Sequence, residues 1–244
     1  MNNEMRMSVI EQTRNRMCIT MATVVVHRTG GDVMFKNRLA AAQQLAQALK
    51  HYQNEHPLVL AIPRGAVPMA QLIAQQLHGD MDVVLVRKLR APFTPEVAIG
   101  AIDETGKTYV APYAQEMGAD WTYLEQETAT QLHTLQQRRA QYNAIRPPID
   151  AAHRTVIVVD DGLATGATMR AALQAIRQHH PARLICAVPV ASHEALEKIK
   201  PWADAWVCLS VPDNFHGVGQ FYSDFRQVED EDVLRILRAV ALTP

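Results

Sequence analysis

The sequence predicts an α/β protein built on a doubly wound, mostly parallel sheet of five strands. Short runs of aliphatic and β-branched residues recur along the chain, such as LVLAI from position 58 and TVIVV from position 155. Each run is followed by a loop and then by a segment with the apolar spacing of a helix. Strands that alternate with helices form parallel sheets with helices on both faces, which is the basis of this prediction.

Length and composition favour one domain without a nucleic-acid or membrane partner. The 244 residues suffice for one well-buried α/β domain, which we expect over residues 30–244. Residues 1–29 have no clear period, and we interpret them as a poorly ordered extension or the product of a misassigned start codon. The chain has 24 Lys and Arg residues against 25 Asp and Glu, so no basic field indicates nucleic acid. No apolar run approaches the length of a membrane span.

The cysteines indicate a reducing compartment. Cys18, Cys186 and Cys208 are far apart in the sequence and odd in number. The latter two lie in apolar runs and are predicted to be buried thiols. Because nothing indicates a disulfide framework or a zinc site, we expect the protein to be cytoplasmic.

The first half of the predicted domain begins with an amphipathic helix over 37–52, whose buried stripe is Leu39, Ala42, Leu45, Ala46 and Leu49. Arg38 in this helix is interpreted as a solvated charge rather than as a phosphate ligand. Further along the chain, we predict strands at 58–62 and 82–87, a helix at 67–77, and a hairpin of 97–102 with 107–111 around Gly106.

The second half continues the alternation of strands and helices. We predict strands at 155–159, 183–190 and 205–209, and helices at 120–145, 169–179, 192–200 and 229–242. Ser192 is the expected N-cap of the third of these helices. The helix over 120–145 is long for a connector, and we expect it to support a lid or a homodimer contact.

The loop after the central strand carries the features of a site for a sugar phosphate. Asp160 and Asp161 end the strand, and a loop of small residues leads into the next helix. A helix N-terminus with a nearby glycine and hydroxyl groups favours phosphate. The two carboxylates repel phosphate and suit neutral hydroxyl groups or Mg²⁺ instead. A ligand with a phosphate at one end and a diol at the other, such as ribose 5-phosphate, fits this order of groups.

Residues 156–168, which read VIVVDDGLATGAT, resemble the phosphoribosyl pyrophosphate (PRPP) loop of the type I phosphoribosyltransferases. The resemblance implies transfer of phosphoribose from PRPP to a small nitrogen acceptor, with release of pyrophosphate and with Mg²⁺ as cofactor. It implies that Asp160 and Asp161 hold the ribose diol and contact the metal indirectly. The rest of the loop would bind PRPP, with 164–168 around the 5-phosphate: Gly162, Leu163, Ala164, Thr165, Gly166, Ala167 and Thr168. A regulator that binds PRPP or a nucleotide without turnover, or a protein that uses ribose 1-phosphate, stays open as an alternative.

The same resemblance implies roles for two basic segments. Arg64 and Gly65 take the position of the family's pyrophosphate loop, after the strand at 58–62. The family also has a mobile loop between the second and third strands that closes over the reacting centre. The resemblance implies that residues 90–106, with the β-hairpin, form this flexible loop, and that Arg87, Lys88 and Arg90 meet PRPP. Together with the two aspartates, Arg64 and Lys88 are the predicted catalytic residues. The alternative for the basic cluster at 87–90 is that it serves solubility.

A segment over 211–225 is predicted to form the hood that holds the acceptor in this family. The candidate residues are Phe215, His216, Phe221, Tyr222, Asp224 and Phe225, because aromatic rings stack on flat bases. For any single aromatic residue, the simpler interpretation is that it covers the end of the sheet. Enzymes for 6-oxopurines resemble this PRPP loop but carry a carboxylate at the position of Ala164. We therefore predict that hypoxanthine and guanine are not acceptors.

Overall fold

The architecture is a parallel sheet with helices on both faces and a small antiparallel sheet beside it. The computed structural model describes residues 24–25, 34–95, 97–145 and 147–242. Much of the predicted extension over 1–29 lies outside these residues, as does Cys18. Among the described residues, no helix combines the length and the apolar character needed to cross a membrane.

The strands of the parallel sheet are β1 (Val24–Val25), β2 (Leu58–Ala61), β3 (Asp80–Val83), β7 (Thr155–Val159), β8 (Arg183–Val190) and β9 (Ala205–Ser210). Their order across the sheet is β1-β9-β8-β7-β2-β3, and all neighbouring pairs are parallel. The predicted five-stranded parallel sheet is therefore confirmed, with the two-residue β1 added at one edge. The order runs one way from β2 and the other way from β7, so the topological switch point lies between these two strands.

The helices are α1 (Arg38–Ala48), α2 (Val67–Leu77), α3 (Trp121–Asn143), α4 (Ala167–Arg177), α5 (His193–Ile199) and α6 (Asp230–Ala241). Alternate strand residues face two separate apolar clusters, because successive side chains point to opposite faces of a sheet. Ile157 and Val159 belong to the cluster that contains α1, α2 and α6, whereas Val156 and Val158 belong to the cluster of α4 and α5. The cysteines Cys186 and Cys208 are buried, as predicted.

The predicted strand over 82–87 is wrong in its extent. β3 ends at Val83, and Val86–Arg90 forms a new strand, β4, in the antiparallel sheet. β4 pairs with β5 (Ala98–Asp103), which pairs with β6 (Thr108–Val110), so the predicted hairpin is confirmed as β5 and β6. A buried carboxylate lies next to this break. Asp82 accepts hydrogen bonds from the backbone N–H groups of Val83 and Ile149.

Helix α1 differs from its prediction on one face. Asn37 caps it through a hydrogen bond from Ala40 N to Asn37 Oδ1, and the helix ends at Ala48, before a 3₁₀ turn at Lys50–Glu55. Leu39 was predicted to be buried but has 47% of its surface exposed. The core contact near the helix start comes instead from Phe35, which is buried and lies outside the helix.

Candidate active site

The candidate site lies at the carboxyl ends of β2 and β7, where open α/β sheets bind ligands. Ala61 and Val159 are register partners, and Ile62 N donates a hydrogen bond to Val159 O at 3.0 Å. The loop that follows β2, over 63–66, therefore starts beside the loop that follows β7, over 160–166. The peptide bond between Pro63 and Arg64 is cis. The fold thus brings together the two loops that the sequence assigned to pyrophosphate and ribose phosphate.

Gly65 is required by the close approach of these two loops. A Cβ atom placed on Gly65 would lie 2.2 Å from Asp161 Oδ2 and 3.2 Å from Arg38 Nε. At such a distance, either the loop backbone or the Asp161 carboxylate would have to move. The backbone of the first loop can therefore approach the acidic pair only where a side chain is absent.

Arg38 is a site residue that the sequence interpretation missed. Its Nε and Nη2 atoms contact Asp161 Oδ2 at 2.9 and 2.8 Å, and its Nη1 atom donates a hydrogen bond to the backbone oxygen of Arg226. Its guanidinium group lies 3.8 Å from the ring centre of Phe225. The interpretation as a solvated charge is wrong, because the Arg38 side chain is only 12% exposed. Since 123 positions separate Arg38 from Asp161, no local pattern pointed to this pair.

The two carboxylates differ in what neutralises them. Burial raises the pKa of Asp160 well above its ordinary value, and the neighbouring Asp161 raises it further. Burial also raises the pKa of Asp161, against the lowering effect of Arg38. Asp160 Oδ1 accepts a hydrogen bond from the backbone N–H of Asp161 at 2.9 Å. Arg38 therefore holds the Asp161 carboxyl group in place and offsets part of the effect of burial on its pKa. Asp160 forms no ion pair with a described residue and is the carboxylate that gains most from a hydroxyl donor supplied by a ligand.

The predicted phosphate cradle lies at the N-terminus of α4. Gly166 is the N-cap residue with φ of +71°, and a Cβ atom there would lie 2.9 Å from the carbonyl oxygen of Ala195. Gly166 thus serves the turn and the packing against α5, in addition to the predicted approach of an anion. Ser192 supports the loop, because its Oγ donates to Ala164 O at 2.8 Å and accepts from Ala195 N. The sequence identified Ser192 as a helix cap but gave no signal for its contact with the loop.

The predicted basic residues do not converge on one point. Arg64 lies beside α6, with its Nη1 atom 3.6 Å from Glu229 Oε2 and 3.5 Å from Asp230 Oδ2. Arg87 lines a cavity of about 150 Å³ at the ends of β2 and β3. Lys88, next along the strand, is absent from the described residues that line this cavity.

Lys88 and Arg90 also lie in different surroundings. Burial lowers the pKa of Lys88, and the positive charge of Arg90 lowers it further. Arg90 is exposed, and its backbone is tied to α3 by hydrogen bonds with Glu127 and Tyr123. Of the predicted set, Arg87 is therefore the residue that the fold places in a cavity beside the two loops.

The predicted hood packs over the end of the sheet. Phe221 and Tyr222 are buried, and the Tyr222 hydroxyl donates a hydrogen bond to the backbone oxygen of Asp161 at 2.7 Å. Tyr222 stacks on Phe225, with ring centres 4.9 Å apart, and Phe215 packs on Phe221 at 5.4 Å. These rings bring the segment against the acidic pair, and Phe215 and Phe225 keep part of their surface open.

The polar hood candidates keep part of their surface open to solvent. His216 is exposed, with its backbone N–H bonded to the Gln220 side chain. Asp224 forms an ion pair with Arg226 at 2.7 Å. Hydrogen bonds from Arg226 lower the pKa of Asp224, so this carboxylate holds a proton poorly.

The acidic pair fits magnesium only through water. The described residues contain no group of three or more His, Cys, Asp or Glu side chains that could hold a metal ion. Asp161 Oδ2 already receives two contacts from Arg38. Mg²⁺ in phosphate-binding sites typically keeps several waters and takes its other ligands from the substrate. Asp160 and Asp161 suit contacts with such waters.

The fold and the arrangement of these loops define a phosphoribosyltransferase-type protein. The family model for the phosphoribosyl transferase domain matches residues 35–226, and the chain belongs to this family. In two strains of Mycobacterium tuberculosis, CDC 1551 and H37Rv, a protein with the provisional name phosphoribosyl transferase is 37% identical over 205 residues. That match covers 84% of this chain and 46% of the relative, so the chain spans about half the length of these curated relatives. The crystal structure of TT1426 from Thermus thermophilus is 47% identical with a TM-score of 0.80, covering 84% of this chain and 98% of that one.

Proposed function

We propose that this protein transfers phosphoribose from PRPP to a small nitrogen acceptor and releases pyrophosphate. The observation that carries the proposal is the close approach of the loops after β2 and β7, where a Cβ atom on Gly65 would lie 2.2 Å from Asp161 Oδ2. The loop after β7 offers two half-buried carboxylates suited to a diol and a helix N-terminus suited to phosphate within a few residues. Membership of the phosphoribosyl transferase family supports the same donor.

Different residues bind different parts of the donor molecule. Asp160 and Asp161 accept hydrogen bonds from the two ribose hydroxyl groups, and Arg38 keeps the Asp161 carboxyl group in place. The Thr165 and Thr168 hydroxyls and the free N–H groups at the start of α4 bind the 5-phosphate. Binding at both ends fixes C1 of the ribose in front of the acceptor, which converts the transfer into an oriented reaction within one complex.

The reaction needs stabilisation of a positive ribose carbon and a negative leaving group. As the bond from C1 to pyrophosphate breaks, the basic residues around 87–90 stabilise the charge that develops on the pyrophosphate. Magnesium, when bound to the donor, neutralises part of the pyrophosphate charge. The hood segment, with Phe215 and Phe225, covers the acceptor. The protein itself forms no covalent bond to the sugar.

The test is release of pyrophosphate from PRPP by purified protein with Mg²⁺ and a panel of nitrogen acceptors. We expect release that depends on the acceptor. Asp160→Asn should fold normally and weaken PRPP binding by about 1.5–3 kcal/mol, because a charge-assisted hydrogen bond to the diol is lost. PRPP binding without any pyrophosphate release would favour a regulator on the same fold. Unchanged PRPP affinity in Asp160→Asn would refute the assignment of Asp160 to the ribose diol.

A further inference from the structure

The cavity at the ends of β2 and β3 has a cationic lining that includes a residue from α3. Two guanidinium groups line it, Arg87 from β4 and Arg138 from α3, together with the hydroxyl-bearing residues Thr134 and Thr168. The remaining described lining residues are apolar, and no carboxylate is among them. Arg87 and Arg138 are both exposed, and a partly open cavity with two positive charges and no negative one in its lining favours an anion.

The cavity joins the two loops of the candidate active site. Pro63 from the loop after β2 and Thr168 from the start of α4 both line it. Its volume is about 150 Å³, which accommodates a small polyanion. An anion in this cavity would therefore lie next to a ribose phosphate held by the loop after β7.

The two guanidinium groups are available for a ligand. Arg87 Nη1 donates to the neutral Gln131 Oε1 at 3.2 Å, and among the described residues neither Arg87 nor Arg138 forms an ion pair. By contrast, Arg64 is the residue expected to meet pyrophosphate, and its Nη1 atom already lies near two carboxylates at the start of α6. The distances are 3.6 Å to Glu229 Oε2 and 3.5 Å to Asp230 Oδ2.

We propose that Arg138 is a binding residue for the pyrophosphate group of the donor, acting with Arg87 across this cavity. The proposal rests on the proposed function. It assigns to α3, a helix that the sequence interpreted as a support for a lid or a dimer, a direct part in holding the leaving group. Paired guanidinium groups suit a diphosphate, because each presents several N–H donors in a fixed plane.

The experiment measures binding of magnesium pyrophosphate and of ribose 5-phosphate by titration calorimetry. Arg138→Ala should weaken pyrophosphate binding about tenfold to a hundredfold, the loss expected for a charge-assisted hydrogen bond. Ribose 5-phosphate affinity should change less than about twofold, because that ligand lacks the pyrophosphate end. Arg138→Lys should recover part of the loss, since it keeps the charge but not the planar fork.

Two control variants separate this effect from helix and bulk-charge effects. Gln137→Ala changes the neighbouring exposed position of α3, whose described side-chain contact is with His133. Arg235→Ala removes an exposed arginine of α6 that pairs with Asp232. Both variants should bind pyrophosphate as the parent protein does, and thermal melting should show that all four variants are folded.

The outcomes distinguish this proposal from the proposed function. Equal losses of pyrophosphate and ribose 5-phosphate affinity in Arg138→Ala would overturn the assignment, as would no loss or no pyrophosphate binding by the parent protein. If Arg138 is needed for pyrophosphate binding but no acceptor supports turnover, the assignment of Arg138 stands and the transferase function fails.

Discussion

At the scale of single residues, the contact between the two loops depends on one missing side chain. Gly65→Ala places a methyl group 2.2 Å from the present position of Asp161 Oδ2. We expect the loop or the carboxylate to shift, with a loss of PRPP affinity of tenfold or more, about 1.4 kcal/mol. Calorimetric titration of PRPP measures this loss.

Gly217→Ala is the matched control for this substitution. Gly217 lies in the hood segment, and a Cβ atom placed there would meet nothing within 4 Å. Its φ of 172° is an extended conformation that alanine also adopts. PRPP affinity in Gly217→Ala should equal that of the parent protein. Equal losses in both glycine variants would show that the close approach at Gly65 is unimportant.

The residue scale is also where sequence interpretation was weakest. The acidic pair and the small-residue loop were identified because all their members lie within nine positions of the chain. Arg38 was missed, since its partners Asp161, Arg226 and Phe225 are brought to it only by folding. A charged residue on a helix is usually solvated, and that prior gave the wrong answer here.

At the scale of elements, a buried cluster of charges fastens the β5–β6 hairpin to the body of the protein. Arg139 of α3 forms ion pairs with Asp82 and with Glu104 at the hairpin turn. Burial raises the pKa of Glu104 to about 7, opposed by Arg139 and aided by Asp82 and Asp103. One Glu104 oxygen is buried with no hydrogen-bond partner among the described residues, which agrees with a carboxyl group that prefers its proton.

This cluster predicts how stability changes with pH. The folded protein keeps the Glu104 proton up to a pH of about 7, whereas an unfolded chain releases it near the ordinary value of 4.5. Between these values the folded state binds more protons, so raising the pH favours unfolding. The contribution lost is on the order of 3 kcal/mol at most, at 1.36 kcal/mol for each unit of pKa difference.

Urea unfolding of the parent protein and of Glu104→Gln between pH 5 and pH 8 checks this prediction. We expect the parent protein to lose more stability than the variant as the pH rises, because the amide does not titrate. Groups distant from this cluster contribute equally in both proteins and cancel in the difference. A variant that follows the pH profile of the parent protein would contradict the assignment to Glu104.

The connection between β4 and β5 is the element we expect to respond to the donor. The hairpin strand β5 is buried through Ile99, Ala101 and Ile102, whereas Phe93 in the connection is 86% exposed. Within the predicted mobile loop over 90–106, we therefore expect the lid motion in the connection at 91–95 rather than in the hairpin. Chymotrypsin should cut after Phe93, and saturating PRPP should slow the cut at least severalfold. Phe93→Ala should abolish the fragment. A cutting rate that PRPP leaves unchanged would show that this segment is no lid.

The elements themselves were predicted well where a local signal marks both ends. The strand β8 has its predicted bounds, and Ser192 caps α5 through a hydrogen bond from Ala195 N. The division of 80–90 into β3 and β4 was not predictable, because the apolar run Val83-Val84-Leu85-Val86 continues through it. Periodicity reports burial, and Val83, Val84 and Leu85 are all buried although β3 ends at Val83.

At the scale of the whole molecule, the fold followed from the alternation of strands and helices, and the candidate site lies at the switch point of the sheet. The identity of the acceptor does not follow from the fold, because the residues that would contact it lie in an irregular segment, 211–225, with no periodic signal. One position does exclude a class of acceptor. Ala164 is exposed at the site and has no ionisable group, at the position where enzymes for 6-oxopurines carry a carboxylate.

We therefore predict that hypoxanthine and guanine are poor acceptors, with rates about 10²–10⁴-fold below those of a base that needs no such carboxylate. The hood offers weak substitutes. Asp213 is fully exposed and pairs with His193, and Asp224 has a lowered pKa beside Arg226. Purified protein with PRPP and Mg²⁺ should be assayed against hypoxanthine, guanine, adenine and orotate, with Ala164→Asp as the companion variant. If the carboxylate alone is missing, Ala164→Asp should raise the rate with hypoxanthine relative to adenine. Efficient turnover of hypoxanthine or guanine by the parent protein would show that His216 or another group manages the purine proton in place of that carboxylate.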